Sequence, residues 1–446
     1  MITSYFIFSL FVSNLFGAYG SVSGDADLIK IHLENYVNHS VDPCDDFYKH
    51  VCSGAHKEVV IAIGEEARSV KDTKTGKTLN ETLNKELNIS DPNSLMHKLI
   101  ASGEYGKLLI EAKGNQDSIK KFVKVVLALP YVESYMKEMY SKKAENVLLD
   151  VINDFKKEMS ADIEKTPWAI NNKVTKNLTM FLNSIKPMFL TDVYPIIETY
   201  VREMKEVDGP NGEVDLFNRV LYMNKRTKDD LSYQYIIEPQ VFHLMVFNAL
   251  NYMKTRIIST PTLLKLYSPN SKARTLGSMG TVIGHEIMHT TFVTMGDNLK
   301  GFPTGPLFDY FTKNVDCIGK HNNRVAKDFL NVTYSTYRTE GEDGADATSF
   351  PSVYRIANRQ IGNEVSDIPF IKNADQMFFY ASAAIYCSNK PDEVDKTDVH
   401  SHPYVRVNSG CAQSEDFQRA FNCKNTDRMV RLRDKCEIFG PNAPAN

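Results

Sequence analysis

Residues 281–289 read TVIGHEIMH, and the pattern His285-Glu286-x-x-His289 decides how the rest of the chain is read. A helix turns ~100° per residue, so side chains four apart differ by only ~40° and project from one face. Two imidazoles at that spacing can grip one zinc ion, with Glu286 one residue on and near the open coordination position. Val282, Ile283, Ile287 and Met288 surround the motif with apolar side chains, as a buried helix requires. With 11 histidines in 446 residues and glutamate at roughly 6%, chance produces the motif in about two chains in a hundred of this composition.

A catalytic zinc needs a third protein ligand and an open fourth position for water. Downstream, residues 338–350 read RTEGEDGADATSF and offer Glu340 and Glu342. Glu342 is the better candidate because Asp346 follows four residues later on the same helical face. Asp346 can then accept the second N–H of a ligand histidine, fixing its tautomer and strengthening it as a donor. Glu340 and Asp343 fit an acidic, solvated helix start. Further on, residues 397–408 read TDVHSHPYVRVN. A donating imidazole at His400 can stabilise an oxyanion, and the guanidinium of Arg406 can hold a carbonyl or carboxylate. Spacing alone does not choose between His400 and His402.

The chain carries 52 Lys or Arg against 55 Asp or Glu, a balance of −3. That gives no support to nucleic-acid binding, which normally brings a basic excess. Apolar residues at 42% and charged residues at 24% describe a folded chain with room for two or three domains. Residues 5–18, YFIFSLFVSNLFGA, are apolar but shorter than the ~20 residues needed to span a bilayer. Ala18 and Gly20 supply small residues for a cleavage site, so residues 1–20 are expected to be a signal peptide, with no membrane span after it. Asn-x-Ser/Thr sequons begin at Asn38, Asn80, Asn88, Asn177 and Asn331. Together these features predict a secreted glycoprotein in an oxidising compartment, where disulfides are the default for its seven cysteines.

Residues 63–95 are polar and are expected to form an exposed connection. From about Ser118 to Met204 the pattern is helical, with stripes such as Phe122, Val125, Val126 and Leu129. A Gly-Pro-Asn-Gly turn at 209–212 closes this region, and the run from Arg256 to Pro261 predicts a short strand stopped by proline.

Taken together, the motifs resemble the neprilysin and endothelin-converting-enzyme family of zinc metallopeptidases. The likeness covers VDPCDDFYKHVCSG at residues 41–54 and the stretch through TPWAINNKVTKNL, and it is dense from Asn248 to Phe439. Its specific motifs are VIGHE-x-x-H, GE-x-x-AD, D-V-H-S with Arg six residues after the His, and a final CEIF. The resemblance implies a mainly α fold with a small β-sheet. A gluzincin (thermolysin-like) catalytic lobe at 241–446 would be joined to a reduced helical N-terminal lobe at 21–240.

The resemblance further implies that His285, His289 and Glu342 bind one zinc ion per chain and that Glu286 is the general base. Asp346 would orient His285, His400 would stabilise the oxyanion, and Arg406 would anchor a carbonyl of the bound peptide. Asn248 and Ala249, in NALNYM, would hold the substrate backbone as an added strand. Thr281, Val282 and Ile385 would border the pocket for the residue after the scissile bond. By the same resemblance Cys44 pairs with Cys423, Cys52 with Cys387 and Cys317 with Cys436, leaving Cys411 over.

Departures from the family pattern are equally specific. Phe292 stands three residues after His289, where the family has an aspartate that would orient that histidine. Leu250 and Asn251 replace a tyrosine pair in the substrate strand, and the N-terminal lobe is much shorter than in full-length members. The leading expectation is a secreted zinc metalloendopeptidase hydrolysing small or flexible peptides by a zinc-activated water, with no nucleic-acid partner. A secreted pseudoenzyme of the same fold that binds peptides or a partner is the alternative. A purely structural zinc needs four closed ligands, and no fourth is evident. Oligomeric state is left open.

Overall fold

The helix Thr281–Gly296, which carries the HExxH pattern, runs through the interior, with Ile283, Ile287 and Met288 fully buried. It lies alongside the long helix Thr336–Ile361, which carries Glu342 and Asp346. Glycine makes that contact close. A Cβ at Gly284 would meet Val353 Cγ2 at 2.8 Å and Phe155 Cε2 at 3.0 Å. In the wide turn Leu276–Gly280 before the motif helix, a Cβ at Gly277 would stand 2.4 Å from the Phe378 carbonyl oxygen. Gly284 therefore lets the motif helix approach the helix Thr336–Ile361, and Gly277 lets the turn approach the helix Ala374–Ala384, closer than a side chain would permit.

The computed structural model describes residues 27–54, 74–139, 141–230, 249–252, 256–259, 261–296, 306–333, 336–388 and 398–445, with isolated positions 233, 237, 241, 394 and 395. The expected signal segment at 1–20 and Asn248 lie outside them. No described helix is long and apolar enough to cross a membrane. All five sequon asparagines are at least partly exposed.

The described residues are mainly helical, with one small sheet, as expected. Strands β1 (Lys186–Met188), β2 (Ala249–Tyr252) and β3 (Arg256–Ser259) form that sheet in the order β1-β3-β2. β1 runs parallel to β3, with Pro187 beside Ile257, and β2 runs antiparallel, with Leu250 beside Ile258. β2 thus lies at one edge among the described residues, against the motif helix.

Two main apolar cores organise the chain. One draws on residues 29–52, the helix Lys142–Lys165 with its neighbours through Ile185, and residues 263–443. The other is built from residues 79–136, 188–204 and 220–241. The region expected as an exposed connection holds the helix Lys74–Glu86, whose Leu79 is buried in the second core and whose Glu86 accepts a 2.9 Å bond from the Leu95 amide. Leu79 and Leu83, four apart, give this polar segment one apolar edge, which suffices beside the helix Gln116–Met139.

The first core joins the two ends of the described chain. Disulfides link Cys44 to Cys423, Cys52 to Cys387 and Cys317 to Cys436, the pairs the resemblance implies, and Cys411 is free and buried. Trp168, wholly buried, donates its indole N–H to the Ile438 carbonyl at 2.7 Å. Thr166 Oγ1 accepts the Gly440 amide at 2.9 Å.

Candidate metal centre

On the motif helix, His285 and His289 bring their Nε2 atoms to 2.9 Å of one another, with ring planes nearly perpendicular. Across the helix pair, Glu342 Oε2 stands 3.1 Å from His285 Nε2 and 3.3 Å from His289 Nε2. Two ligands about 2.0–2.1 Å from a zinc ion at the tetrahedral angle stand about 3.3–3.4 Å apart. The three atoms sit close to that spacing. Glu342 Oε2 is buried yet makes no aligned hydrogen bond, although imidazole nitrogens surround it. Three ligand atoms converging on one point fit a two-histidine, one-carboxylate set for zinc.

His285 is held from behind. His285 directs Nδ1 to Asp346 Oδ1 at 2.7 Å. Asp346 is gripped in turn by Arg406, whose Nε donates to Oδ2 at 2.5 Å and whose Nη2 donates to Oδ1 at 2.8 Å. The Tyr386 hydroxyl stands 3.3 Å from the same Oδ1, and the Arg406 guanidinium lies 4.7 Å from the Tyr386 ring centroid. Burial opposes the charge on Asp346, but Arg406 and His285 outweigh it and hold the carboxyl well below its ordinary range. For His285, burial favours the neutral ring, yet Asp346 and Glu342 prevail and push it up to about 10 without metal.

His400 approaches from the other side, its Nε2 3.1 Å from Glu342 Oε2. Asp398 orients it, accepting from its ring Nδ1 at 2.8 Å and its backbone amide at 2.9 Å. Burial again opposes protonation, and Asp398 with Glu342 raises His400 to about 9. The structure thus separates the two candidates that spacing left level. His402 caps the helix Pro403–Gln413, accepting the Tyr404 amide on its Nδ1, while His400 faces the metal ligands.

Glu286 is buried on the same helix as its histidine neighbours. Ala249 stands at the start of β2, and the Phe292 side chain lies outside the described residues. Thr281 spends its hydroxyl on the Gly277 carbonyl at 2.6 Å, and Val282 and Ile385 are half-buried beside the core.

Asp343 departs from the solvated helix start expected of it. It is buried, accepts the Ser401 hydroxyl at 2.9 Å, and is pushed up to about 6 by burial. Sequence reasoning missed Asp398, Tyr386 and Ser401. Asp398 carried a signal, since an acid two residues before a histidine can fold back on it. Tyr386 and Ser401 carried none, because their partners are distant in sequence.

Residues 254–438 match peptidase family M13. Among curated relatives, Neprilysin-2 of Caenorhabditis elegans is 28% identical over 177 residues, covering 36% of this chain and 24% of that protein. Neprilysin-1 of the same organism is 22% identical over 314 residues, covering 65% and 41%. Endothelin-converting enzyme-like 1 of Homo sapiens is 26% identical over 187 residues, covering 39% and 24%. The matched part therefore spans well under half the length of each of these relatives.

Proposed function

We propose, from the match of residues 254–438 to peptidase family M13 and the likeness to neprilysin and endothelin-converting-enzyme relatives, a secreted zinc metalloendopeptidase that cuts small or flexible peptides. One observation carries the reading: His285 Nε2, His289 Nε2 and Glu342 Oε2 converge at 2.9–3.3 Å with no hydrogen bond to satisfy the carboxylate oxygen. Zinc held by these three residues would polarise a carbonyl and acidify a water.

The chain's own residues divide the remaining work. Asp346 keeps the proton of His285 on Nδ1, leaving Nε2 as the ligand atom. Glu286 takes the proton of the attacking water on its carboxylate and passes it to the leaving amine. His400, oriented at its Nδ1 by Asp398, donates from Nε2 to the developing oxyanion. Arg406 presents its guanidinium to a carbonyl of the bound peptide while anchored on Asp346. Asn248 and Ala249 receive the peptide as an added strand on the edge of β2 that is unpaired among the described residues.

The test is zinc content per chain, followed by cleavage of a quenched fluorescent peptide with and without a chelator. One zinc per chain with chelator-sensitive cleavage is expected. Zinc-loaded, folded protein without turnover would overturn the enzyme reading and favour a peptide-binding pseudoenzyme, the reading that Phe292 in place of an aspartate supports.

A further inference from the structure

The helix Pro403–Gln413 holds Arg406 against Asp346 on one side. Residues 404 and 408 are four apart and share a face, whereas 406 is ~200° from 404 and points the opposite way. That opposite face is clamped by the first described segment of the chain. One Asp46 oxygen accepts the Tyr404 hydroxyl, and the other accepts Asn408 Nδ2 at 3.0 Å. Asn408, fully buried, accepts the Tyr48 amide on its Oδ1 at 2.9 Å, and the Tyr48 and Tyr404 rings pack at 4.6 Å.

Asp46 is itself fixed. It is buried, caps the helix Phe47–Cys52 by accepting the Lys49 amide at 3.0 Å, and stands between Cys44 and Cys52, both disulfide-bonded. A carboxylate that bonds two positions one turn apart on a helix resists rotation of that helix about its axis. A rotation of about 10° would swing a guanidinium carried roughly 6 Å from the axis by about 1 Å. Misplacements of that size at a substrate contact cost up to ~100-fold.

We propose that Asp46 is a positioning residue for the peptide site: it sets the rotation of the helix Pro403–Gln413 and thereby the reach of Arg406. The inference rests on the peptide-site reading of Arg406 given above. It places the control of a substrate contact more than 350 residues away in sequence.

The experiment uses the full chain loaded with zinc and two readouts. These are KM and kcat on a fluorescent peptide, and affinity for an uncleavable peptide with a methyleneamine in place of the scissile amide. Asp46→Ala is expected to raise KM and weaken the uncleavable peptide by about tenfold while kcat stays within about twofold. Asp46→Asn, which keeps an acceptor toward Asn408 and a donor toward the Tyr404 oxygen, restores most of the affinity. In an Arg406→Gln background, Asp46→Ala has no further effect on peptide affinity but still lowers Tm. If Asp46→Ala does not fold, Tyr404→Phe removes one Asp46 bond, and Asn408→Ala removes the other together with the acceptor of the Tyr48 amide; each is expected to weaken the peptide by about threefold.

Lost thermal stability with unchanged KM and peptide affinity overturns the proposal, as does an equal affinity loss in the Arg406→Gln background. A wild type that binds the uncleavable peptide without turnover overturns the peptidase reading alone. A wild type that binds no peptide overturns both.

Discussion

Arg406 and Asp346, sixty residues apart, form a two-pronged ion pair: Nε to Oδ2 at 2.5 Å and Nη2 to Oδ1 at 2.8 Å. The residue expected to hold substrate is thus joined to the residue expected to orient a metal ligand. A lysine cannot reproduce that fork. Arg406→Lys should therefore weaken zinc as well as peptide, by about tenfold in competition with a chromogenic chelator. Unchanged zinc affinity would separate the two roles again.

Glu286 lies on the motif helix but outside the converging ligand set. Glu286→Gln should leave zinc stoichiometry and Tm near wild type while lowering kcat by about 100- to 10,000-fold. A variant that loses its zinc would instead place Glu286 among the groups that hold the site together.

Gly284 has no room for a side chain between Val353 and Phe155. Gly284→Ala should force the motif helix away from its neighbour, costing about 1–3 kcal/mol in urea denaturation. Because Glu342 sits on that neighbouring helix, zinc affinity should fall with stability. A stable variant with normal zinc affinity would show that the pair tolerates separation.

Arg274 is buried and donates to Asp27 at 2.8 Å and to both oxygens of Asp367, which also receives Lys30 at 3.0 Å. Arg274, helped by Lys30 and against burial, holds the Asp367 carboxyl down to about 2. A depressed carboxylate stabilises fully above its unfolded value of about 3.9, and that contribution disappears as pH falls toward 2. Asp367→Asn should lower stability near neutral pH and flatten its decline between about pH 4 and pH 2. A mutant curve parallel to wild type across that window would sink the assignment.

Much of the site was legible because helical spacing is local. His285 and His289, and Glu342 and Asp346, each stand four apart, so one turn of helix accounts for each pair. What the chain does between helices was not legible. Nothing in residues 142–185 announces that they share a core with the motif helix, since an amphipathic stripe shows which face is buried but not against what. Asp343 looked like a solvated acid because its partner, Ser401, lies 58 residues on. The resemblance, not spacing, pointed to the disulfide pairs, because three bridges among seven cysteines leave many pairings open.

The tie between Asp46 and the helix Pro403–Gln413 also bears on synthesis. A ribosome delivers the chain from its N-terminus at roughly 5–20 residues per second. Asp46, Cys44 and Cys52 emerge early, and their partners Asn408, Cys423 and Cys387 come only near the end. Trp168 awaits a later residue still, Ile438, whose carbonyl accepts its indole N–H. For most of translation the apolar faces of the first core lack their closing elements. The nascent chain must keep Phe47 and Tyr48 from other partners until the last residues arrive, so the long sequence separations of this topology leave apolar surface uncovered during synthesis.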